Sequence, residues 1–167
     1  MFKRILAPID GSETSQSALE SALSVARENG AELIPLFVVD VPMKAYEVPG
    51  GDPKYVRKAL LNEGQRLADE ALAAMQRDGI RGIPRVVEVG TPGASVPERI
   101  LEEARAANCD LVVMGTHGRR GVKRLMLGSV AERFVRMSYC PVLLIPGGAL
   151  AAETRAASAH ENEKASS

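Results

Sequence analysis

Residues 110–137 read DLVVMGTHGRRGVKRLMLGSVAERFVRM, and this stretch predicts a strand, a glycine-containing loop and a helix, in that order. Leu111 to Met114 form a short apolar run, rich in β-branched residues, of the length typical of a buried strand. Ser129 and Glu132 have the Ser-x-x-Glu spacing of a capping box, and apolar residues follow at helical intervals. The loop therefore leaves the carboxyl end of a strand and ends at the first turn of a helix.

This loop has the chemistry of a phosphate-binding segment. Its glycines, which include Gly115, Gly118 and Gly128, allow backbone N–H groups to form a concave surface, and a helix N-terminus adds unpaired donors and a positive dipole. Four cations lie in the same loop: Arg119, Arg120, Lys123 and Arg124. The pattern is neither a Walker A loop nor the Gly-x-Gly-x-x-Gly dinucleotide fingerprint. A purely structural interpretation stays open, in which the glycines make a tight turn, Ser129 caps the helix and the cations form a solvated rim.

Strand-like runs alternate with helical segments along the chain. The strands are predicted at Arg4–Ile9, Glu32–Val39, Pro84–Val89, Leu111–Met114 and Val142–Ile145, and the helices at Thr14–Asn29, Lys54–Arg77, Val96–Ala107 and Val130–Met137. Such alternation is typical of a parallel sheet, whose right-handed crossovers place helices on both faces. We therefore expect a Rossmann-like, doubly wound α/β domain with a five-stranded parallel sheet, and we adopt 3-2-1-4-5 as its strand order.

Two segments fall outside this alternation. Residues 42–53 contain Gly50-Gly51 and flanking prolines, a composition that fits either a flap over a site or a plain connector. Residues 148–167 consist mainly of small and polar residues with little apolar surface to bury, so a disordered C-terminal tail is expected there. One folded domain is then predicted at residues 1–147.

Composition excludes several classes of partner. The chain has 167 residues, and its 46% hydrophobic content is enough for one globular core. Lys plus Arg and Asp plus Glu both number 21, and there is no Trp, so neither a positive field nor an aromatic platform would attract nucleic acid. No apolar run approaches the ~20 residues that span a bilayer. We expect no membrane insertion, and a cytoplasmic location.

Cysteine and histidine usage indicates neither a disulfide framework nor a zinc site. Cys109 and Cys140 each precede a strand-like run, where a small buried thiol is favoured. A redox pair is the alternative, since neighbouring strands would bring the two thiols close together. His117 and His160 have no adjacent cluster of carboxylates or cysteines, which disfavours a zinc-type site.

A carboxylate follows the first predicted strand, in Pro8-Ile9-Asp10-Gly11-Ser12. Doubly wound sheets bind ligands at the carboxyl ends of their strands, where the strand order reverses. With the order 3-2-1-4-5, that crevice lies between strands one and four, so Asp10 and the Gly115 loop would face the same pocket. The carboxylate could accept hydrogen bonds from the ribose hydroxyls while the loop binds the phosphates. Alternatively, Asp10 or Ser12 only caps the first helix.

Together these residues resemble the universal stress protein family. The likeness covers about residues 2–146 and rests on Gly115-x2-Gly118-x9-Gly128-Ser129 and on the opening Pro8-Ile9-Asp10-Gly11-Ser12. It extends to Val38-Val39-Asp40, Gly90, Asp110 and Cys140-Pro141-Val142-Leu143-Leu144. In this family the complete glycine pattern marks the ATP-binding branch. The resemblance therefore implies ATP, or AMP or ADP, as the ligand, with Mg²⁺ or Mn²⁺ as an accompanying ion.

The resemblance also implies which residues contact the nucleotide. Asp10 would hold the ribose, the backbone near Val38 would meet the adenine edge, and Pro8 and Ile9 would line the pocket. The ribose and phosphates would be surrounded by Met114, Gly115, Gly118, Arg119, Gly128, Ser129 and Val130. The family commonly dimerises through its last strand, which implies a homodimer through Val142–Ile145, an apolar edge that needs cover.

Three functions are compatible with this site. The first is a nucleotide-dependent regulatory or stress-response module. The second is a slow ATPase or phosphotransfer enzyme, with Asp10 or Asp40 assisting a metal ion and loop cations stabilising phosphoryl charge. The third is an adaptor for a regulated protein partner, in which the nucleotide is structural. No residue is an evident base for activating water, so we expect no dedicated enzyme and assign no catalytic residue.

Overall fold

Strands and helices alternate throughout the computed structural model, which describes residues 1–47, 52–90, 94–117 and 127–146. In these segments the elements are β1 Arg4–Pro8, α1 Glu13–Asn29, β2 Glu32–Val39, α2 Lys44–Glu47, α3 Pro53–Arg77, β3 Arg85–Glu88, α4 Val96–Ala106, β4 Leu111–Gly115, α5 Ser129–Met137 and β5 Val142–Ile145. None of the described helices is both long enough and apolar enough to cross a membrane. The predicted tail, residues 148–167, lies outside the described segments.

The strands form one sheet in the order β3-β2-β1-β4-β5, and every pairing is parallel. This order confirms the predicted doubly wound topology. After β1 the chain continues to β2 and β3 on one side of the sheet, and then passes to β4 and β5 on the other. The direction of winding reverses between β1 and β4, and this reversal opens a crevice at the carboxyl ends of these two strands.

Helices cover both faces of the sheet, as predicted. Successive side chains along a strand point to opposite faces, so each strand contributes to two separate hydrophobic cores. Ile5 and Ala7 of β1 belong to the core under α1 and α3, where Leu19, Leu67 and Met75 are also buried. Leu6, between them, belongs to the core under α4 and α5. The largest side chains of this second core include Leu36, Ile100 and Phe134, each at most 1% exposed.

The structure adds one helix to the segment at residues 42–53. Residues 44–47 form the short helix α2, which spans about one turn and is too short to show helical periodicity. Asp52 then caps α3 by accepting a hydrogen bond from the Lys54 N–H at 2.9 Å, so that helix begins at Pro53 rather than Lys54. Residues 48–51 lie outside the described segments, and the choice between flap and connector is untested.

The capping box predicted at Ser129 and Glu132 is wrong. Gly128 is the N-cap of α5, and Ser129 is its first helical residue. The carboxylate of Glu132 accepts from Arg136 at 2.9 Å rather than from the start of the helix. A capping box lies instead at α4, where the Glu98 carboxylate accepts from the Ser95 N–H at 2.8 Å and from the Ser95 hydroxyl at 3.0 Å. These two hydrogen bonds hold the pKa of the Glu98 carboxyl below its usual value.

Candidate functional site

The first wall of the crevice is the turn between β1 and α1. Gly11 has φ 81°, a left-handed conformation that favours glycine. Ser12 caps α1, because its Oγ accepts from the Ser15 N–H at 3.2 Å. Asp10 Oδ1 in turn accepts from the Ser12 N–H at 2.9 Å and the Ser12 Oγ–H at 2.6 Å. The expected cap at Ser12 is therefore present, and Asp10 orients it from the carboxyl end of β1.

Beyond Asp10, β1 separates from β2 and leaves a slot beside Val38. The Ile9 N–H donates to the Leu36 carbonyl at 2.8 Å, but the Asp10 N–H turns away and donates to Ser15 Oγ at 3.2 Å. In a parallel ladder the main-chain groups of alternate residues point to the same neighbour, so those of Val38 point toward β1, as those of Leu36 do. No main-chain hydrogen bond joins Val38 to residues 9 or 10 of the described chain. Its N–H and C=O can thus meet the edge of a planar ligand.

The second wall begins at Gly115, the last residue of β4. A Cβ atom there would lie 2.6 Å from Thr14 Cγ2 and 3.1 Å from the Thr14 carbonyl carbon. Only glycine allows β4 and the first turn of α1 to approach this closely. Because Thr14 follows Asp10 by one short turn, the Gly115 end of β4 and the Asp10 end of β1 border the same crevice.

The N-terminus of α5 is fastened directly to the end of β4. The Gly128 N–H donates to the Thr116 carbonyl at 2.7 Å, and the Thr116 N–H donates to the Ile145 carbonyl at 2.9 Å. A Cβ atom on Gly128 would lie 2.9 Å from the Thr116 oxygen, so this contact also depends on glycine. The first-turn N–H groups of α5 have no intrahelical partners, and the contact places them at the carboxyl edge of the sheet.

The remaining predicted site residues differ in accessibility. Ile9 and Met114 are only 6% and 4% exposed and pack in the two cores. Pro8 and Val38 are half-buried, whereas Ser129 and Val130 are exposed at the start of α5. Gly118 and Arg119 lie outside the described residues. The structure therefore brings together the strand ends and the helix start that the sequence singled out.

His117 also belongs to this region, although the sequence pattern did not indicate a binding role for it. At the level of sequence it served only as evidence against a zinc site. Its Nδ1 lies 3.0 Å from Thr116 Oγ1, while its Nε2 is buried and has no hydrogen-bond partner in the described part of the chain. The one signal available in the sequence is its position between Gly115 and Gly118. Within the described segments, no three His, Cys, Asp or Glu side chains form a group that could hold a metal ion.

A second depression lies at the opposite, amino-terminal edge of the sheet. It is a wide, open groove lined by residues that include Phe2, Arg81 and Asn108. Its polar groups bond to one another: the Asp110 carboxylate accepts from the N–H groups of Lys3 and Arg4 at 2.9 to 3.1 Å. These contacts fasten the start of β1 to the start of β4, so we interpret them as structural.

Burial suppresses the reactivity of the two thiols. Both cysteines are free. Cys109 is 2% exposed, and this burial raises its pKa to about 11. Burial also raises the pKa of the Cys140 thiol. Since the thiolate is the nucleophile in thiol chemistry, these environments favour the structural interpretation over a redox pair.

Comparison with known proteins yields one family. The model of the universal stress protein family matches residues 1–146. A universal stress protein of Methanocaldococcus jannaschii is 34% identical over 145 residues, which cover 87% of this chain and 82% of that protein. A universal stress protein family structure from Burkholderia pseudomallei is 41% identical, with a TM-score of 0.73, over 87% of this chain and 96% of that one. A structure from Archaeoglobus fulgidus in complex with dAMP shares the fold at 18% identity, with a TM-score of 0.60 and coverages of 87% and 98%.

Proposed function

The chain belongs to the universal stress protein family, and from that premise we propose that it binds an adenine nucleotide, foremost ATP with Mg²⁺, as a nucleotide-dependent regulatory or stress-response module of the cytoplasm. The observation that carries the proposal is the fastening of α5 to β4. The hydrogen bond from Gly128 to Thr116 holds the helix N-terminus at the carboxyl end of β4, the strand next to β1 at the reversal of the strand order. This arrangement supports the proposal, because a helix N-terminus suits phosphate and a carboxylate at the end of β1 suits ribose hydroxyls.

The proposed ligand lies across the carboxyl edge of three adjacent strands. Adenine meets the main-chain groups of Val38 at the end of β2, and Pro8 and Ile9 line this part of the pocket. Asp10, at the end of β1, accepts from the ribose hydroxyls. The phosphates, and the ribose in part, contact the segment from β4 to α5, whose proposed members are Met114, Gly115, Gly118, Arg119, Gly128, Ser129 and Val130.

The dAMP complex of the Archaeoglobus fulgidus protein is compatible with this proposal, because its chain has the same fold. At 18% identity, that complex supports the capacity of this fold to bind an adenine nucleotide, but it does not support a role for any one residue. The support for this chain comes from its own contacts, namely the Gly115 approach to Thr14, the Gly128 closure and the slot at Val38.

A direct test is to ask whether the purified protein carries or binds an adenine nucleotide. The protein is denatured, the supernatant is chromatographed, and released nucleotide is quantified against protein. We expect AMP, ADP or ATP in near one-to-one amount, or saturable heat in calorimetry when nucleotide-free protein is titrated with ATP and Mg²⁺. Absence of both released nucleotide and saturable heat would contradict the proposal.

Catalysis is not part of the proposal, since no contact between described residues favours hydrolysis over binding. Phosphate release can be followed in the same preparation. If Asp10→Ala abolishes the release of phosphate, the pocket also has an ATPase activity. Release that persists in this variant would indicate a contaminating enzyme.

We also propose that the protein is a homodimer through β5. This strand pairs only with β4 within the described sheet, so its other edge presents unpaired main-chain groups. Its apolar side chains are partly accessible, with Leu143 39% exposed. A second copy of the chain would cover both the main-chain groups and this apolar surface.

A further inference from the structure

The buried Nε2 atom of His117 is a polar group with no hydrogen-bond partner in the described part of the chain. Buried polar side-chain atoms in native proteins are nearly always hydrogen-bonded, and an exception calls for a missing water, ion or ligand. Leaving such a group unpaired destabilises the folded protein, because the group loses its hydrogen bond to water without gaining another. Among the described residues, the Nε2 atom of His117 thus lacks a hydrogen-bond partner.

The position of His117 is set by contacts on both sides. The preceding residue, Thr116, donates its N–H to Ile145 and accepts from Gly128. A Cβ atom on Gly128 would lie 3.4 Å from the His117 Cα, so the start of α5 packs against the histidine backbone. Because the main chain is held at these points, His117 has a defined position between the end of β4 and the start of α5, next to the carboxyl edge of the sheet.

The neighbouring hydroxyl determines what this nitrogen can do. Thr116 Oγ1 lies 3.0 Å from Nδ1, and a threonine hydroxyl can donate to or accept from that nitrogen. When it donates, the neutral imidazole carries its proton on Nε2, which then becomes a donor. A phosphate oxygen is an acceptor, so it fits this tautomer and no other neutral one.

We propose that His117 donates a hydrogen bond from Nε2 to a phosphate oxygen of the bound nucleotide, and that the Thr116 hydroxyl supports the required tautomer by donating to Nδ1. The inference rests on the proposed nucleotide-binding function and deepens it. His117 then adds a side-chain donor for phosphate beside the main-chain N–H groups at the start of α5.

Two substitutions of His117 distinguish the roles of its two ring nitrogens. His117→Asn keeps an amide near the Nδ1 position, beside Thr116, but has no atom at the Nε2 position. His117→Gln reaches further and offers an N–H group there. For ATP we expect binding to weaken about tenfold in the Asn variant, the size of one hydrogen bond to a charged group, and to change little in the Gln variant.

Adenosine is the ligand control in the same calorimetric titrations. A phosphate contact predicts that the Asn variant binds adenosine as the wild type does. Unchanged ATP affinity in the Asn variant would overturn the inference, and so would an equal loss for ATP and adenosine, which indicates a structural role. If the His117 variants fail to fold, Thr116→Val, which removes the hydroxyl, is compared with Thr116→Ser, which keeps it. We expect the Val variant to lose affinity for ATP but not for adenosine, and the Ser variant to bind both as the wild type does.

A spectroscopic test needs no change at the site. The ¹⁵N shifts of the wild-type imidazoles report tautomers directly, and His160→Asn assigns the signals because the chain has only two histidines. We expect the Nε2–H tautomer at His117 in the ATP complex, with an Nε2 shift that responds to ATP and not to adenosine. An Nδ1–H tautomer in that complex would overturn the inference alone, whereas a wild type that binds no nucleotide would overturn the proposed function as well.

Discussion

A Cβ atom on Gly115 would lie 2.6 Å from Cγ2 of Thr14, so the last residue of β4 and the first turn of α1 are in direct contact. The glycine is needed for packing, whatever its part in ligand binding. The same approach brings the Gly115 end of β4 next to the Asp10 turn. One contact therefore serves the fold and also shapes the crevice.

We predict that Gly115→Ala destabilises the protein by about 1–3 kcal/mol, the usual cost of overpacking a close contact. The added methyl group must displace Thr14 or separate β4 from α1. Urea unfolding followed by circular dichroism measures the effect.

Thr14→Ser is the matched second change, because it removes the Cγ2 atom that the new methyl group meets. We expect the Gly115→Ala, Thr14→Ser double variant to recover part of the loss, since the Thr14 backbone, at 3.1 Å, remains close. Full additivity of the two single changes would show that the contact does not limit this position.

Gly128→Ala should weaken ATP binding by at least about tenfold, or 1.4 kcal/mol. Its methyl group would lie 2.9 Å from the Thr116 carbonyl oxygen and would push the N-terminus of α5 away from β4. Gly90→Ala is the control, since no atom lies within 4 Å of a Cβ there. Calorimetry that finds equal ATP affinity in both variants would refute the role of this closure.

Asp10→Asn tests the ribose contact. Wild-type protein should prefer ATP over dATP, because a carboxylate can accept from both ribose hydroxyls and dATP lacks the 2′-hydroxyl. The variant should bind ATP about tenfold more weakly and lose most of this preference. Asp69→Asn, an exposed α3 position bonded to Gln65 at 2.8 Å, should change neither quantity. A preference retained by Asp10→Asn would place the ribose elsewhere.

Stability should depend on the Cys109 thiol at alkaline pH. Burial raises its pKa from 9.0 to about 11, so the native thiol stays protonated where the unfolded one ionises. Its contribution is fully present below pH 9 and is lost as pH rises toward 11. Urea unfolding between pH 8 and 10.5 should show a smaller decline for Cys109→Ala than for the wild type. Parallel declines would mean that the thiol titrates alike in both states.

Leu143→Glu should convert the proposed dimer into a monomer. Leu143 is 39% exposed on β5, and pairing two such edges would bring like charges together in a desolvated interface. Light scattering at micromolar concentration gives the mass. Ile83→Glu, at a 74% exposed position before the opposite edge strand, is the control and should keep the wild-type mass. A monomeric wild type would contradict the interface itself.

Much of the fold could be predicted because it depends on local patterns. The apolar runs at Glu32–Val39 and Val142–Ile145 match the observed strands to the residue. Errors are concentrated at element ends and in short pieces. The helix at residues 44–47 is too short to be periodic, and the cap of α5 moved from Ser129 to Gly128 because Gly128 is bound to Thr116 across the loop.

By itself, the sequence determined the alternation of strands and helices, the doubly wound class of the fold and the motifs at the ends of its strands. These follow from periodicity, turn chemistry and the handedness of crossovers, all of which are local or general. Only the tertiary structure decided the contact of Gly115 with Thr14, the closure of Gly128 on Thr116, the slot at Val38 and the buried His117 nitrogen that has no partner among the described residues. Such features depend on distances between packed segments, and no local pattern in a chain encodes those distances.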